Sequence, residues 1–129
     1  MCQNRQLVFV YGTLRRGEEN HRLLVQETML GEVVTAREFT MIDLGDYPAV
    51  VQYGTYAIVG EVYKIAGDTL AKLDELEEYP EYYQRTIIST RYGDAWMYVL
   101  SGMPDGCISP IECGDWVAHK IRKHAKSPQ

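Results

Sequence analysis

The chain has 129 residues, 46% of them hydrophobic and 24% charged, which is the composition of an ordinary globular domain and excludes a disordered chain. Its formal net charge of −5 argues against a broad nucleic-acid footprint, which needs a basic surface. No apolar run approaches the ~20 residues of a membrane-spanning helix, and no signal-peptide core opens the chain.

In chain order, Leu7–Tyr11 is a β-branched and aromatic run closed by Gly12, the pattern of a strand buried on both faces. Residues 12–20 carry two glycines and no periodicity. A short helix is expected over His21–Gln26 with Asn20 as its N-cap. From Met29 to Glu61, glycines and Pro48 recur too closely for long helices, so strands and turns are expected, with Tyr56–Ile65 a strand. Asp68 is positioned to cap a helix over Thr69–Glu78 that Pro80 cannot continue. Arg85–Thr90 and Ala95–Leu100 read as a hairpin turning at Tyr92-Gly93-Asp94. A last helix runs from about Asp115 to His124, with Trp116, Val117 and Ile121 as its apolar positions, and residues 125–129 read as a frayed tail. The result is one α+β domain over residues 1–129, a small barrel-like mixed sheet with short flanking helices.

Cys2, Cys107 and Cys113 make an odd count without a Cys-x-x-Cys pair, as expected of a reduced, cytoplasmic protein. The one basic concentration, Lys120, Arg122, Lys123 and Lys126, reads as a solvated helix face. His21, His119 and His124 have no metal-ligand spacing and are expected at the surface. Ser89, Ser101 and Ser109 lie in no nucleophile-elbow pattern.

Two features carry chemistry. The first is Glu77. With Leu70 at zero and about 100° per residue, Leu73 falls at about 300°, Leu76 at about 240° and Glu77 at about 340°. Glu77 thus lies inside the apolar stripe, with Asp74 at its margin. A carboxylate there is either a structural partner, for instance to Arg85, or a poised acid–base group. The second is Tyr11-Gly12-Thr13-Leu14-Arg15-Arg16-Gly17. A glycine at a strand exit lets a ligand approach, and successive N–H groups in such a turn can form an anion nest. It is equally the pattern of an ordinary strand-exit turn, and it is neither a Walker nor a dinucleotide motif. The tyrosine-rich run 79–83 reads as wall packing that could line a pocket.

These features occur together, in order, with Asn20, Gly60-Glu61-Val62-Tyr63, Leu73-Asp74-Glu75-Leu76-Glu77 and Tyr83-Gln84-Arg85. The set resembles the γ-glutamylcyclotransferase-like superfamily. Tyr92–Val99 and Gly114-Asp115-Trp116 are similar to the small bacterial YtfP-type members, and the chain is also similar to γ-glutamylamine cyclotransferases. The resemblance implies a compact barrel and release of 5-oxoproline and a free amine or amino acid from a γ-glutamyl compound. It implies Glu77 as the catalytic acid–base, with Tyr11, Gly12, Thr13 and Leu14, and with them Tyr83 and Tyr98, on the substrate. No metal or cofactor, nucleic acid or membrane is implied, and the protein is expected as a monomer or weak homodimer. The family often has glycine after the glutamate, where this chain has Glu78. The competing reading is a non-catalytic small-molecule-binding module on the same fold.

Overall fold

The computed structural model describes residues 5–100, 102 and 110–125. Among these residues, seven strands form two sheets: β1 Arg5–Val10, β2 Thr28–Val34, β3 Phe39–Asp43, β4 Pro48–Tyr56, β5 Val59–Ala66, β6 Tyr83–Thr90 and β7 Gly93–Leu100. The larger is mixed, in the order β2-β5-β1-β7-β6, and β3 pairs with β4. A 3-10 turn covers His21–Leu24, and two helices follow, α1 Gly67–Leu76 and α2 Trp116–Ala125. This is the mixed, helix-flanked sheet expected from the sequence.

The apolar run of β1 puts it at the centre. It pairs antiparallel to β5, with Val8 opposite Tyr63, and parallel to β7, with Val8 beside Trp96. Alternation along the strand sends Val8 and Val10 to one core, with Leu70 and Leu73 of α1. Phe9 and Tyr11 go to the other, with Met97 and Trp116 of α2. Both faces are thereby buried, as the continuous hydrophobic run requires. Gly60 on β5 is set by close approach, since a Cβ there would lie 2.4 Å from the Val10 carbonyl oxygen.

Several local expectations need correction. The stretch 56–65 is not one strand. It breaks at Ala57-Ile58, where Thr35 Oγ1 accepts the Ile58 N–H at 2.9 Å and the Gly114 carbonyl accepts the Val59 N–H at 2.8 Å. Asp68 does not cap α1. The N-cap is Ala66, without a side-chain cap, and Asp68 lies in the first turn, where its charge favours the helix dipole. Asn20 does hold the N-cap position of the 3-10 turn, but its side chain makes no capping bond and instead donates back to Thr13 Oγ1 at 2.9 Å.

The end of α1 is decided before Pro80 is reached. The Tyr79 N–H bonds to the Asp74 carbonyl at 2.9 Å and the Glu78 N–H to the Glu75 carbonyl at 3.2 Å, a Schellman motif. Glu78 occupies its left-handed position at φ 55°. A Cβ is disfavoured there by ~1–2 kcal/mol, partly offset by the ~0.4–1 kcal/mol that glycine loses through the unfolded chain. Glu78→Gly is therefore expected to raise unfolding stability by roughly 0.5–1 kcal/mol in a denaturant melt.

Three side chains of α2 face acids: Lys120 pairs with Glu18, and Lys123 and His119 each lie 2.8 Å from Asp43, while Arg122 is exposed. His21 and His119 are half-buried and hydrogen-bonded, against the expectation of a surface position. Each of those contacts gives a ring nitrogen a partner that solvent would otherwise supply. Cys113 is free and exposed. Cys2, Ser101, Cys107, Ser109, Lys126 and the side chain of His124 lie outside the described residues, as does most of the tail. Among the described residues, no helix is long and apolar enough to cross a membrane.

Candidate functional site

Three segments that are distant in sequence meet around one cavity of about 230 Å³. The exit of β1 contributes Tyr11 to Leu14, and the β3–β4 turn contributes Asp46, Tyr47 and Pro48. The C-terminal end of α1 contributes Leu76, Glu77 and Glu78, followed by Tyr82 and Tyr83, with Tyr98 from β7. The candidate site residues Tyr11, Gly12, Thr13, Leu14, Glu77, Tyr83 and Tyr98 all lie in this lining, whereas Arg15, Arg16 and Gly17 of the same loop do not. Sequence reasoning passed over Glu19, Asp46, Tyr47 and Pro48 as lining residues. The first three lie in turns and Pro48 opens β4, where chain punctuation is visible but the direction of the turn is not.

Glu77 is the C-cap of α1, and its N–H still bonds the Leu73 carbonyl at 2.9 Å. The helical geometry thus persists far enough to keep Glu77 beside Leu73, which is fully buried. Leu76 on the next position is exposed at 38% and borders the cavity. Among the described residues, the Glu77 carboxylate has no hydrogen bond or ion pair. Arg85, the partner one reading offered it, instead lies 3.5 Å from Asp74 and stacks over the rings of Tyr79 and Trp96. Burial without a compensating cation pushes the Glu77 carboxyl from its ordinary 4.5 up to about 7.

The tyrosines around it are held protonated. Burial raises Tyr11, Tyr83 and Tyr98 well above the usual phenol value, and the nearby Glu77 charge adds to each. Their protons are already committed. Tyr11 donates to the Tyr98 carbonyl at 2.8 Å, Tyr83 to the Pro48 carbonyl at 3.1 Å and Tyr98 to Asp74 Oδ1 at 2.7 Å. A ligand therefore meets oxygen lone pairs rather than O–H donors, which suits an ammonium group.

The loop is the complementary element. The Gly12 carbonyl accepts the Arg15 N–H at 3.0 Å, and the Thr13 carbonyl accepts the Asn20 N–H at 2.8 Å. The loop's carbonyls are thus used, while among the described residues the N–H groups of Gly12, Thr13 and Leu14 donate to none. Unpaired backbone donors bordering a cavity seek an acceptor from the ligand. Glycine at position 12 is required by space, since a Cβ would lie 2.8 Å from Pro48 Cγ on the opposite wall. One cavity thus combines free donors for an anion, tyrosine acceptors for a cation and an unpaired carboxyl that titrates near neutrality.

The profile of the gamma-glutamyl cyclotransferase, AIG2-like family matches residues 8–118. A Vibrio cholerae protein named for gamma-glutamylcyclotransferase is 45% identical over 112 residues, covering 87% of this chain and 96% of that protein. The gamma-glutamylcyclotransferase family protein YtfP of Escherichia coli is 40% identical over 110 residues, 85% of this chain and 95% of that one. The solution structure of Escherichia coli YtfP superposes with a TM-score of 0.72 at 38% identity, over 89% of this chain and 99% of the other. The crystal structure of the uncharacterized Pyrococcus horikoshii protein PH0828 gives a TM-score of 0.81 at 26% identity, over 95% and 99%. With a family profile that spans most of its length and both cores, this chain belongs to the gamma-glutamyl cyclotransferase, AIG2-like family.

Proposed function

We propose that the protein cyclises a γ-glutamyl amide to 5-oxoproline and releases the free amine, with Glu77 as its acid–base group. The observation that carries this reading is Glu77 itself: an unpaired carboxyl, raised to about 7, in the same cavity as the Gly12–Leu14 donors. A pure binding module gains nothing from a group poised to change charge at neutral pH.

The substrate supplies its own nucleophile, so the protein's task is to fold it into a ring-closing pose. The Gly12, Thr13 and Leu14 N–H groups receive the α-carboxylate or the oxyanion that develops on the γ-carbonyl. Oxygens of Tyr11, Tyr83 and Tyr98 face the α-ammonium. Ionised Glu77 takes a proton from that ammonium, and the freed amine attacks the γ-carbonyl carbon. The new C–N bond closes the five-membered lactam. Protonated Glu77 then delivers its proton to the departing nitrogen as the original amide C–N bond breaks. The attacking nitrogen loses its second proton to solvent, and the free amine gains one on release. A carboxyl with a pKa of about 7 serves both as base and as acid near neutrality, which a solvated glutamate does not.

Among the described residues, the lining contains Glu19, Asp46, Glu77 and Glu78 and no lysine or arginine. This balance favours an amine leaving group over an amino acid, whose carboxylate would enter an acidic mouth. Incubation with γ-glutamyl-putrescine, γ-glutamyl-ε-lysine and γ-glutamyl-alanine, followed by mass spectrometry of 5-oxoproline, tests both points. Turnover should fall in that order. No 5-oxoproline from any of the three overturns the enzymatic reading, and a preference for γ-glutamyl-alanine overturns the assignment of the leaving group.

A further inference from the structure

Immediately behind the loop lies a buried ionic cluster that takes no part in the chemistry above. Arg15 is 6% exposed and Glu61 5%, the two buried charged residues among the described residues. The Arg15 guanidinium reaches three carboxylates on three elements. Its Nε lies 3.2 Å from Glu61 on β5, Nη1 lies 3.0 Å from Asp115 ahead of α2, and Nη2 lies 3.3 Å from Glu32 on β2. The second Glu61 oxygen accepts the Arg16 N–H at 2.9 Å and the Tyr63 hydroxyl at 3.0 Å. One buried carboxylate thus grips two consecutive loop residues, one by its side chain and one by its backbone.

A charged pair held this far from water is costly unless every bond is made, and a hydrophobic filling would serve stability at least as well. What the pair does that a hydrophobic filling would not is fix direction. The planar guanidinium and the two-oxygen acceptor define the path of residues 15 and 16, and Leu14, the last of the free donors, is bonded directly to Arg15. We infer that Arg15 and Glu61 are positioning residues, which hold the Gly12–Leu14 N–H groups in the orientation that receives the substrate's anionic group. This rests on the reading of residues 12–14 as the anion-holding loop.

A positioning role and a merely structural role differ in what they change. Glu61→Gln keeps the size of the side chain but turns one of its acceptors into a donor, so it cannot serve Arg15 and Arg16 together. Arg15→Lys keeps the charge but not the planar fork. Each is expected to raise KM for γ-glutamyl-putrescine by about tenfold, the low end of what an outer-shell partner contributes, with kcat changed by less than about threefold. The acid limb of the kcat pH profile should stay in place. Amide shifts of Gly12–Leu14, read by NMR without substrate, should move in both variants. Glu38→Gln, at an exposed position outside the cluster, should leave KM and those shifts unchanged.

If Glu61→Gln fails to fold, Arg15→Lys decides the question. Folded variants with a lowered melting temperature but wild-type KM and wild-type Gly12–Leu14 shifts would overturn the inference. A wild-type protein without turnover would count against the enzyme alone. The amide shifts, together with 5-oxoproline titrated as the probe, would still report whether the anchor sets the loop.

Discussion

Glu77→Gln is expected to lower turnover of the best γ-glutamyl amide by at least ~100-fold, with KM nearly unchanged, because it keeps the size of the side chain and removes its titrating proton. The same substitution should make the protein more stable at pH 8. The wild-type carboxyl titrates at about 7 when folded and at its ordinary 4.5 when unfolded. Between those values the folded state holds a proton that the unfolded state has released, so wild-type stability falls as pH rises through this window. The full loss is present above pH 7 and absent below about 4.5. At ~1.4 kcal/mol per unit, the shift from 4.5 to about 7 bounds the loss at about 3.5 kcal/mol, and partial exposure brings it nearer ~2. Urea melts of both proteins at pH 4.5 and pH 8 read this directly, with kinetics at pH 7. A structural partner would behave in the opposite way: its loss would destabilise at pH 8 and leave the rate alone. Wild-type turnover in the variant would falsify the assignment.

Gly12→Val has the second large expected effect, on binding rather than on proton transfer. A Cβ at position 12 would lie 2.8 Å from Pro48 Cγ and 2.9 Å from Pro48 Cδ, and a proline ring at the start of a strand has no flexible end to withdraw. Either the loop or the β3–β4 turn must shift, and both line the cavity. KM should rise at least ~10-fold, and overpacking should cost about 1–3 kcal/mol of stability. Gly12→Ala, with a single added methyl, separates the two effects. If its binding of 5-oxoproline and its melting temperature both match the wild type, close approach at Gly12 does not shape the site.

Much of this molecule is legible along the chain because the relevant signals are local. The apolar run Leu7–Tyr11 identifies a doubly buried strand, since its five consecutive hydrophobic residues leave no polar face. The 3.6-residue period places Glu77 among Leu70 and Leu73 before any contact is known. The glycine after the first strand marks a turn with room for a ligand. What the period does not supply is a partner. Arg85 is eight residues beyond Glu77, yet its charge goes to Asp74, three residues back from Glu77 on α1. Capping depends on the same long-range context. Asn20 does stand at the N-cap of the 3-10 turn, but its side chain is drawn to Thr13 by the closing loop, and α1 starts one residue ahead of Asp68.

By itself, then, the order of residues determined the strand-rich class, the amphipathic helix and the acid on its inner face, because each follows from backbone geometry over fewer than a dozen residues. Tertiary structure alone decided that the strand exit, the β3–β4 turn and the end of α1 surround one cavity. It also decided that Glu19, Asp46, Glu77 and Glu78 share the cavity lining, and that Arg15 lies outside it and meets Glu61 on β5. Those facts depend on the antiparallel pairing of β1 with β5 and its parallel pairing with β7. Such long-range registers are set by the packing of two whole cores, and no short window of sequence contains them.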